Sequence, residues 1–303
     1  ADEYLRKKGY FLKYLFLGDT RQLPPVGEPE SVIFKLAKSE KWFVSNLFEV
    51  MRSNNDFIKN INNSLVINCL NYPTTQEEFT KAYPDIFIKD KRIIVHTYDE
   101  ISKIYKSNPQ AIIMFITCTN ANVEASNKKI YKFVKNKEFT DFEVGDRVVL
   151  ENNISNMYDK AVEGFGTESK GLLFSGEIMD IISIENKECV FSEIKIEYKL
   201  VEVVLYDKRV YIPVITREQY NKYKNDIKIK YKKRFIFIFR IFKKYFGILN
   251  LGYAQTAYKC QGSQYDIAIV NFNSFYGVYK DDIPMLVKSI YSAMSRAQDM
   301  VYT

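Results

Sequence analysis

The sequence predicts an α/β protein interrupted by an all-β segment, and three observations carry that prediction. Short continuous apolar runs, such as Ala111 to Thr117, have the length and β-branched content of buried strands. Apolar residues at helical spacing lie beside them, at Ser31 to Lys38, Phe57 to Leu70 and Val123 to Phe133. From roughly residue 138 to residue 248 the pattern shifts to short alternating strands broken by turns.

Taken in order, Tyr14-Leu15-Phe16-Leu17 reads as a buried strand that runs into Gly18-Asp19-Thr20-Arg21-Gln22-Leu23-Pro24-Pro25-Val26. Gly18 permits a close backbone approach where the strand ends. Asp19 then stands at the carboxyl end of a strand, where open α/β sheets place their ligands. Pro24 and Pro25 end the strand and stiffen its exit. Gln22 offers an amide that can both donate and accept. Ala111 to Thr117 is a second buried strand, followed by Cys118-Thr119-Asn120 and a helix. Phe142 to Leu150 reads as a turn and strand, Gly171 to Ile178 as another, with further strands over 186–205 and 208–215. A basic, Tyr-rich helical stretch closes this part near 216–246. Residues 250–303 return to α/β: a helix after Tyr253, a strand from Ile267 to Phe272, and a last helix.

Composition bounds the possibilities. With 303 residues there is room for two domains, and 47% hydrophobic with 15% aromatic residues argues for a folded chain. The abundance of Tyr, Phe, Lys, Asn and Ile fits an AT-rich genome of viral, plasmid or low-GC bacterial origin. The formal net charge is +7, and Lys222 to Lys244 alone holds ten Lys or Arg against one acid, Asp226. A polyanionic partner would be felt through that window; a solvated helix face is the alternative reading. Four cysteines (69, 118, 189 and 260) form no C-x-x-C pair, and His96 is the only histidine, so no metal-ligand spacing is present. Reduced thiols and an intracellular location are expected: cytoplasm, nucleus or a viral replication site. No signal peptide is visible, and the apolar run Phe235 to Phe239, bounded by Arg234 and Arg240, is too short to cross a bilayer, so no membrane partner is expected. Ala1-Asp2-Glu3 opens in mid-pattern, which suggests a piece of a longer polypeptide.

Three strings then point to one family. Gly18 to Val26 resembles motif III of superfamily 1 helicases, "GD..QLPPV". Tyr253 to Asp266 is similar to motif V, "YA.T.HKSQGSEFD", and Tyr291-Ser292-Ala293-Met294-Ser295-Arg296-Ala297 to motif VI, "Y.A.TRA". They occur in the family's order. Asn46 to Ser53 resembles motif IV, "L.E..RS", and Thr117-Cys118-Thr119-Asn120 with Asn127 and Ile130 resembles the family's strand–"T.TN"–helix unit. The nearest resemblance is to the RecD-like and Dda-like branch.

That resemblance implies a RecA-like second lobe of the P-loop NTPase type with an inserted small SH3-like β-barrel. Residues 1–28 would be the tail of the first RecA-like lobe, 29–137 with 249–303 the second lobe, and 138–248 the insertion with its basic helical extension. It implies an ATP-dependent DNA helicase moving 5′→3′ on single-stranded DNA, or at a duplex fork, as a monomer. ATP and Mg²⁺ would be the cofactors, with the metal ligands mainly in the first lobe. Arg296 would be the arginine finger, Gln22 the γ-phosphate sensor and Asp19 a group near metal and water. Arg52, Gly262, Ser263 and Gln264 would line the nucleotide cleft. Thr117, Thr119, Asn120, Thr256, Tyr258 and Lys259 would face the strand, where hydroxyls and amines bind phosphate without reading sequence. A capping role for Thr119 is an alternative. The family usually has His where Tyr258 stands and Glu where Gln264 stands, which puts the ribose contact in doubt. Cys260 replaces a common Ser and is expected to be inert; Trp42 is expected in the core.

The Walker A pattern does not occur in these 303 residues, so the chain by itself is expected not to hydrolyse ATP at a useful rate, and Asp2-Glu3 reads as a polar helix start or a Walker B remnant. Two other readings stay open at this point: a nucleic-acid-binding remnant without catalysis, and a superfamily 1 RNA helicase.

Overall fold

A computed structural model describes residues 7–9, 15–25, 27–28, 30–39, 43–45, 59, 97–154, 173–205 and 208–302. Arg52 and its surrounding motif, Trp42, His96, and most of the helix expected at 57–70 lie outside the described residues.

Two sheets organise these residues. The first is wholly parallel, built from β1 (Ile113–Thr117), β7 (Ala254–Thr256), β8 (Tyr265–Val270) and β9 (Ala297–Tyr302) in the order β7-β1-β8-β9. β1 is buried at every position because both faces are covered. Met114 and Ile116 point to a core completed by α6 (Phe272–Tyr279) and α7 (Ile283–Met294), through Phe275, Leu286 and Ile290. Ile113 and Phe115 point to the opposite core, with Ile101 and Tyr105 of α2 (Tyr98–Ser107) and Ile130 and Tyr131 of α3 (Asn120–Lys135). This is a three-layer α/β/α arrangement. Thr97 and Glu100 form a capping box on α2, which fixes where that helix starts. A short helix, α1 (Val32–Ser39), precedes them.

The second sheet is antiparallel: β2 (Arg147–Leu150), β3 (Ile178–Phe191), β4 (Ile194–Leu205), β5 (Lys208–Val214) and β6 (Leu249–Leu251), in the order β5-β4-β3-β2-β6. Where a small closed barrel is expected, the described residues form an open sheet. Its end strands meet only at a parallel bridge between Val214 and Gly247, with Gly247 N donating to Pro213 O at 2.8 Å and Ile215 N to Gly247 O at 3.0 Å. A Cβ on Gly247 would stand 2.6 Å from Ile154 Cδ1, so the bridge depends on that glycine. β3 and β4 extend far beyond the rest of the sheet, and α4 (Arg217–Tyr231) and α5 (Phe235–Tyr245) fold back along them as an arm.

Two expected elements differ. Residues 15–19 form no strand, and Leu15 and Leu17 are each 84% exposed: no described strand pairs with this run, so its apolar side chains have no core to enter here. Residues 257–262, expected as a helix after Tyr253, are a chain of turns, with Gly262 at φ +89°. A left-handed residue there stops helical continuation.

Candidate functional site

The opening loop docks on the end of α7. Leu23 is buried in the same core as Ala257, Cys260 and Met294. Its backbone N–H donates to Ser292 Oγ at 3.0 Å, and its carbonyl accepts from Gln261 Nε2 at 3.1 Å. The loop is thereby fastened to α7 and to the turn after β7. Gly18 belongs to the same closure: a Cβ there would stand 2.7 Å from the Phe34 ring of α1.

Asp19 collects donors. Its carboxylate accepts from Arg21 N at 3.0 Å and Arg21 Nε at 2.7 Å, from Gln22 Nε2 at 3.4 Å, and from the Tyr291 hydroxyl at 3.2 Å. The Arg21 guanidinium also lies over the Tyr291 ring, 5.8 Å from its centroid. Partial burial pushes the Asp19 carboxyl up, but the Arg21 bonds and charge and the Tyr291 bond outweigh it and hold the group below its ordinary value of 3.8. Burial, together with the Asp19 charge, pushes the Tyr291 phenol up, which keeps it a donor.

Arg296 stands one residue past the C-cap of α7 and is 1% exposed. Its Nε donates to Ser292 O at 3.0 Å and its Nη2 to Ser295 Oγ at 3.0 Å. A cation bonded to the last carbonyls of a helix is favoured by the helix dipole. Ser292 therefore has two jobs: its hydroxyl holds the loop through Leu23, and its carbonyl holds Arg296. The Tyr291 phenol feels the Asp19 carboxylate, which raises it, and the Arg21 and Arg296 charges, which lower it. The expected finger is thus an enclosed side chain tied into its own helix end.

The remaining candidates divide. Gly262 and Gln264 are exposed in the segment before β8, with Ser263 half-buried between them, and Gln264 Oε1 accepts from Gln298 Nε2 at 2.9 Å. Thr117 is corrected: it has no exposure and its hydroxyl donates to Ser274 Oγ at 2.8 Å, so it cannot meet a strand from this position. Thr119 is the N-cap of α3, accepting from Asn122 N at 3.2 Å. Thr256 is likewise buried, with its hydroxyl accepting from Lys259 N at 3.3 Å. Tyr258 packs half-buried against the core beside Cys118. Cys260 is fully buried, and burial pushes its thiol up to about 12. Asn120 and Lys259 are exposed and reach a cavity of about 1290 Å³ between the first turn of α3 and the antiparallel sheet. Glu151, Arg217 and Gln255 also line it, Glu151 and Arg217 as an ion pair. None of the residues that line that cavity belongs to the Asp19–Arg296 node.

Four residues at the node were not singled out by sequence: Arg21, Gln261, Tyr291 and Ser292. All stand inside the quoted motifs, so the signal was present, but their role needs the docking of two segments far apart in sequence. Asn127 is a fifth. Its Oδ1 accepts from Tyr253 N at 3.0 Å and Ala254 N at 2.8 Å, which pins edge strand β7 to α3.

With this geometry in hand, comparison with known proteins places the fold. No family model matches the chain. An uncharacterized protein of Acanthamoeba polyphaga mimivirus is 25% identical over 349 residues, covering 96% of this chain and 68% of that protein. Among solved structures, the Pif1 helicase of Candida albicans superposes with a TM-score of 0.50 at 14% identity, covering 94% of this chain. The chain spans 62% of that helicase's length. A structure of two coordinating Pif1 helicases at forked double-stranded DNA gives a TM-score of 0.42 at 15% identity, over 94% of this chain and 59% of that one. The mixed α/β fold with its parallel sheet resembles that of Pif1, a superfamily 1 helicase. No helix among the described residues is long and apolar enough to cross a membrane.

Proposed function

We propose that this chain is the C-terminal half of an ATP-dependent DNA helicase of superfamily 1, in the RecD- and Dda-like branch, moving 5′→3′ as a monomer. In this reading residues 29–137 with 249–303 are the second lobe, 138–248 the β insertion, and the exposed apolar residues around Leu15 and Leu17 meet a first lobe. The observation that carries it is the double use of Ser292, which joins the Gln22 loop to the Arg296 helix through one residue.

The donor set suits a polyphosphate. Arg21, Gln22 and Arg296 present guanidinium and amide groups, and Asp19 is already compensated by Arg21. Bound ATP would supply the transferring γ-phosphoryl group. This chain's own part is then positional. Gln22 and Arg296 are kept on one rigid block, so a change felt by the loop moves the guanidinium with it. Arg296 is enclosed in this state, and exchange of its bonds to Ser292 and Ser295 for an anion would release it. Lys259 and Asn120, on the cavity wall, are the candidates for phosphate contact with a single strand.

The test is ATP hydrolysis stimulated by single-stranded DNA in the full-length protein. Arg296→Lys should lower kcat by about a thousandfold with little change in ATP affinity, and Gln22→Ala should lower it by less. Turnover near the unsubstituted rate in Arg296→Lys contradicts the reading.

A further inference from the structure

The arm formed by β3, β4, α4 and α5 has no role in the ATP-linked node, and its surface is unlike the rest of the chain. Its interior is aromatic. Phe242 and Phe246 are fully buried, Phe239 stacks between Phe235 and Phe242 at 5.3 and 6.0 Å, and Phe191, Tyr220 and Tyr223 close the core. The cations gather on the outer stretch of its helices: from Ile227 to Tyr245 there are eight Lys or Arg and no acid, while the acids of the arm lie on β3, β4, the turn between them and the part of α4 before Ile227. Among the described residues only Lys230 of these eight has an acidic partner, Glu193. Lys224 of α4 and Lys243 of α5 lie over the same Phe239 ring, at 5.8 and 5.7 Å, so cations of the two helices come together at one ring. At the free end Ile229, Ile236 and Phe237 are 73%, 72% and 65% exposed.

We propose that this arm is a binding surface for duplex nucleic acid, held through its phosphates, with the apolar end set against the stack where the duplex terminates. The proposal rests on the reading of the chain as a nucleic-acid motor. Three features favour a duplex over other anions. A single strand is held by bases stacking on a series of exposed rings, and here every ring of the two helices except Phe237 packs in or against the arm's own core. A bilayer would engage the tip alone and leave Lys243 and Lys244, near the root, without a partner. A rod of charge meets the whole row: α4 runs about 22 Å at 1.5 Å per residue, more than half of the roughly 34 Å turn of a duplex. The root of α4 also carries Arg217 on the wall of the large cavity, so the arm continues the surface proposed for the single strand. Apolar wedges beside phosphate-binding cations are a recurrent way to hold deformed duplex.

The experiment measures equilibrium binding of the full-length protein to a labelled single strand, to the same strand carrying a duplex segment, and to phosphatidylcholine vesicles with and without phosphatidylserine. Lys232→Glu/Lys233→Glu/Arg234→Glu changes only exposed residues. It should weaken the partial duplex about tenfold or more, leave the single strand within about twofold, and flatten the salt dependence by a slope of about 2 to 3. Lys243→Glu/Lys244→Glu, on the other helix, should act in the same direction. Ile236→Ser/Phe237→Ser should weaken the partial duplex without changing the salt slope. Equal losses on single strand and partial duplex, no loss on either, or phosphatidylserine-dependent vesicle binding removed by the same substitutions would each overturn the proposal. Because single-strand-stimulated ATP hydrolysis is expected to survive all three variants, failure here is distinguishable from failure of the helicase reading.

Discussion

The docked loop at residues 18–25 and the cationic arm solve opposite problems. The loop brings polar groups into a buried seam and satisfies them: Asp19 with Arg21, Gln22 and Tyr291, Leu23 N with Ser292, Leu23 O with Gln261. The arm does the reverse, turning the rings of its helices inward, Phe237 excepted, and its cations out. Buried, satisfied polar groups specify one geometry and are costly to break. Exposed, unpaired cations specify no geometry and are available to a partner. The first region is built to transmit a position, the second to make contact.

The contrast can be broken at the arm with the largest expected effect. Phe242→Ala removes a fully buried ring that touches five other aromatic side chains. It should cost about 3–5 kcal/mol in chemical denaturation, and it should melt the arm while leaving the loop in place. Loss of the loop's amide protection in the same variant would show that the two regions are one cooperative unit. Next is Asn127→Ala, which leaves the backbone N–H groups of Tyr253 and Ala254 without their acceptor in a buried strand. About 1–3 kcal/mol is expected, read as a lower thermal midpoint.

A smaller effect sharpens the loop side. The Asp19 carboxyl is held below its ordinary value of 3.8, so its contribution is complete above that value and is lost as pH falls through the lower folded value. Protection of the Leu23 amide against exchange, corrected for intrinsic rate, should be unchanged from neutrality down to about pH 5 and fall below about pH 4. Protection that falls between neutrality and about pH 5 would assign the docking to some other group.

Much of this was legible in the sequence. Ala111 to Thr117 announced a doubly covered strand, and β1 is that strand. The helices at Ser31 to Lys38 and Val123 to Phe133 are present within a few residues of their expected ends. Two misreadings have a common cause. Tyr14 to Leu17 looks like a buried strand, but whether an apolar run is covered depends on a neighbour no local pattern shows. The hydroxyls of Thr117 and Thr256 look like surface donors, yet both face inward, because residue type does not reveal which side of a strand is capped by helices. The charge window from Lys222 to Lys244 shows its cations plainly, but not that Phe235, Phe239 and Phe242 between them build a core of their own against β3 and β4. Ser292 was passed over because a serine in a helix carries no chemistry until a loop from the other end of the chain arrives beside it.

The central claim is that the Gln22 loop and the Arg296 helix form one block, and a double-mutant cycle tests it most directly. Asp19→Asn and Tyr291→Phe each disturb one side of the bond between loop and helix, and their effects on unfolding free energy are compared with that of the pair. The account predicts a coupling energy of about 1 kcal/mol, within the ~0.5–3 kcal/mol range of residues in one network. Effects that add to within about 0.3 kcal/mol would mean that the two segments touch without acting together, and the account would be wrong.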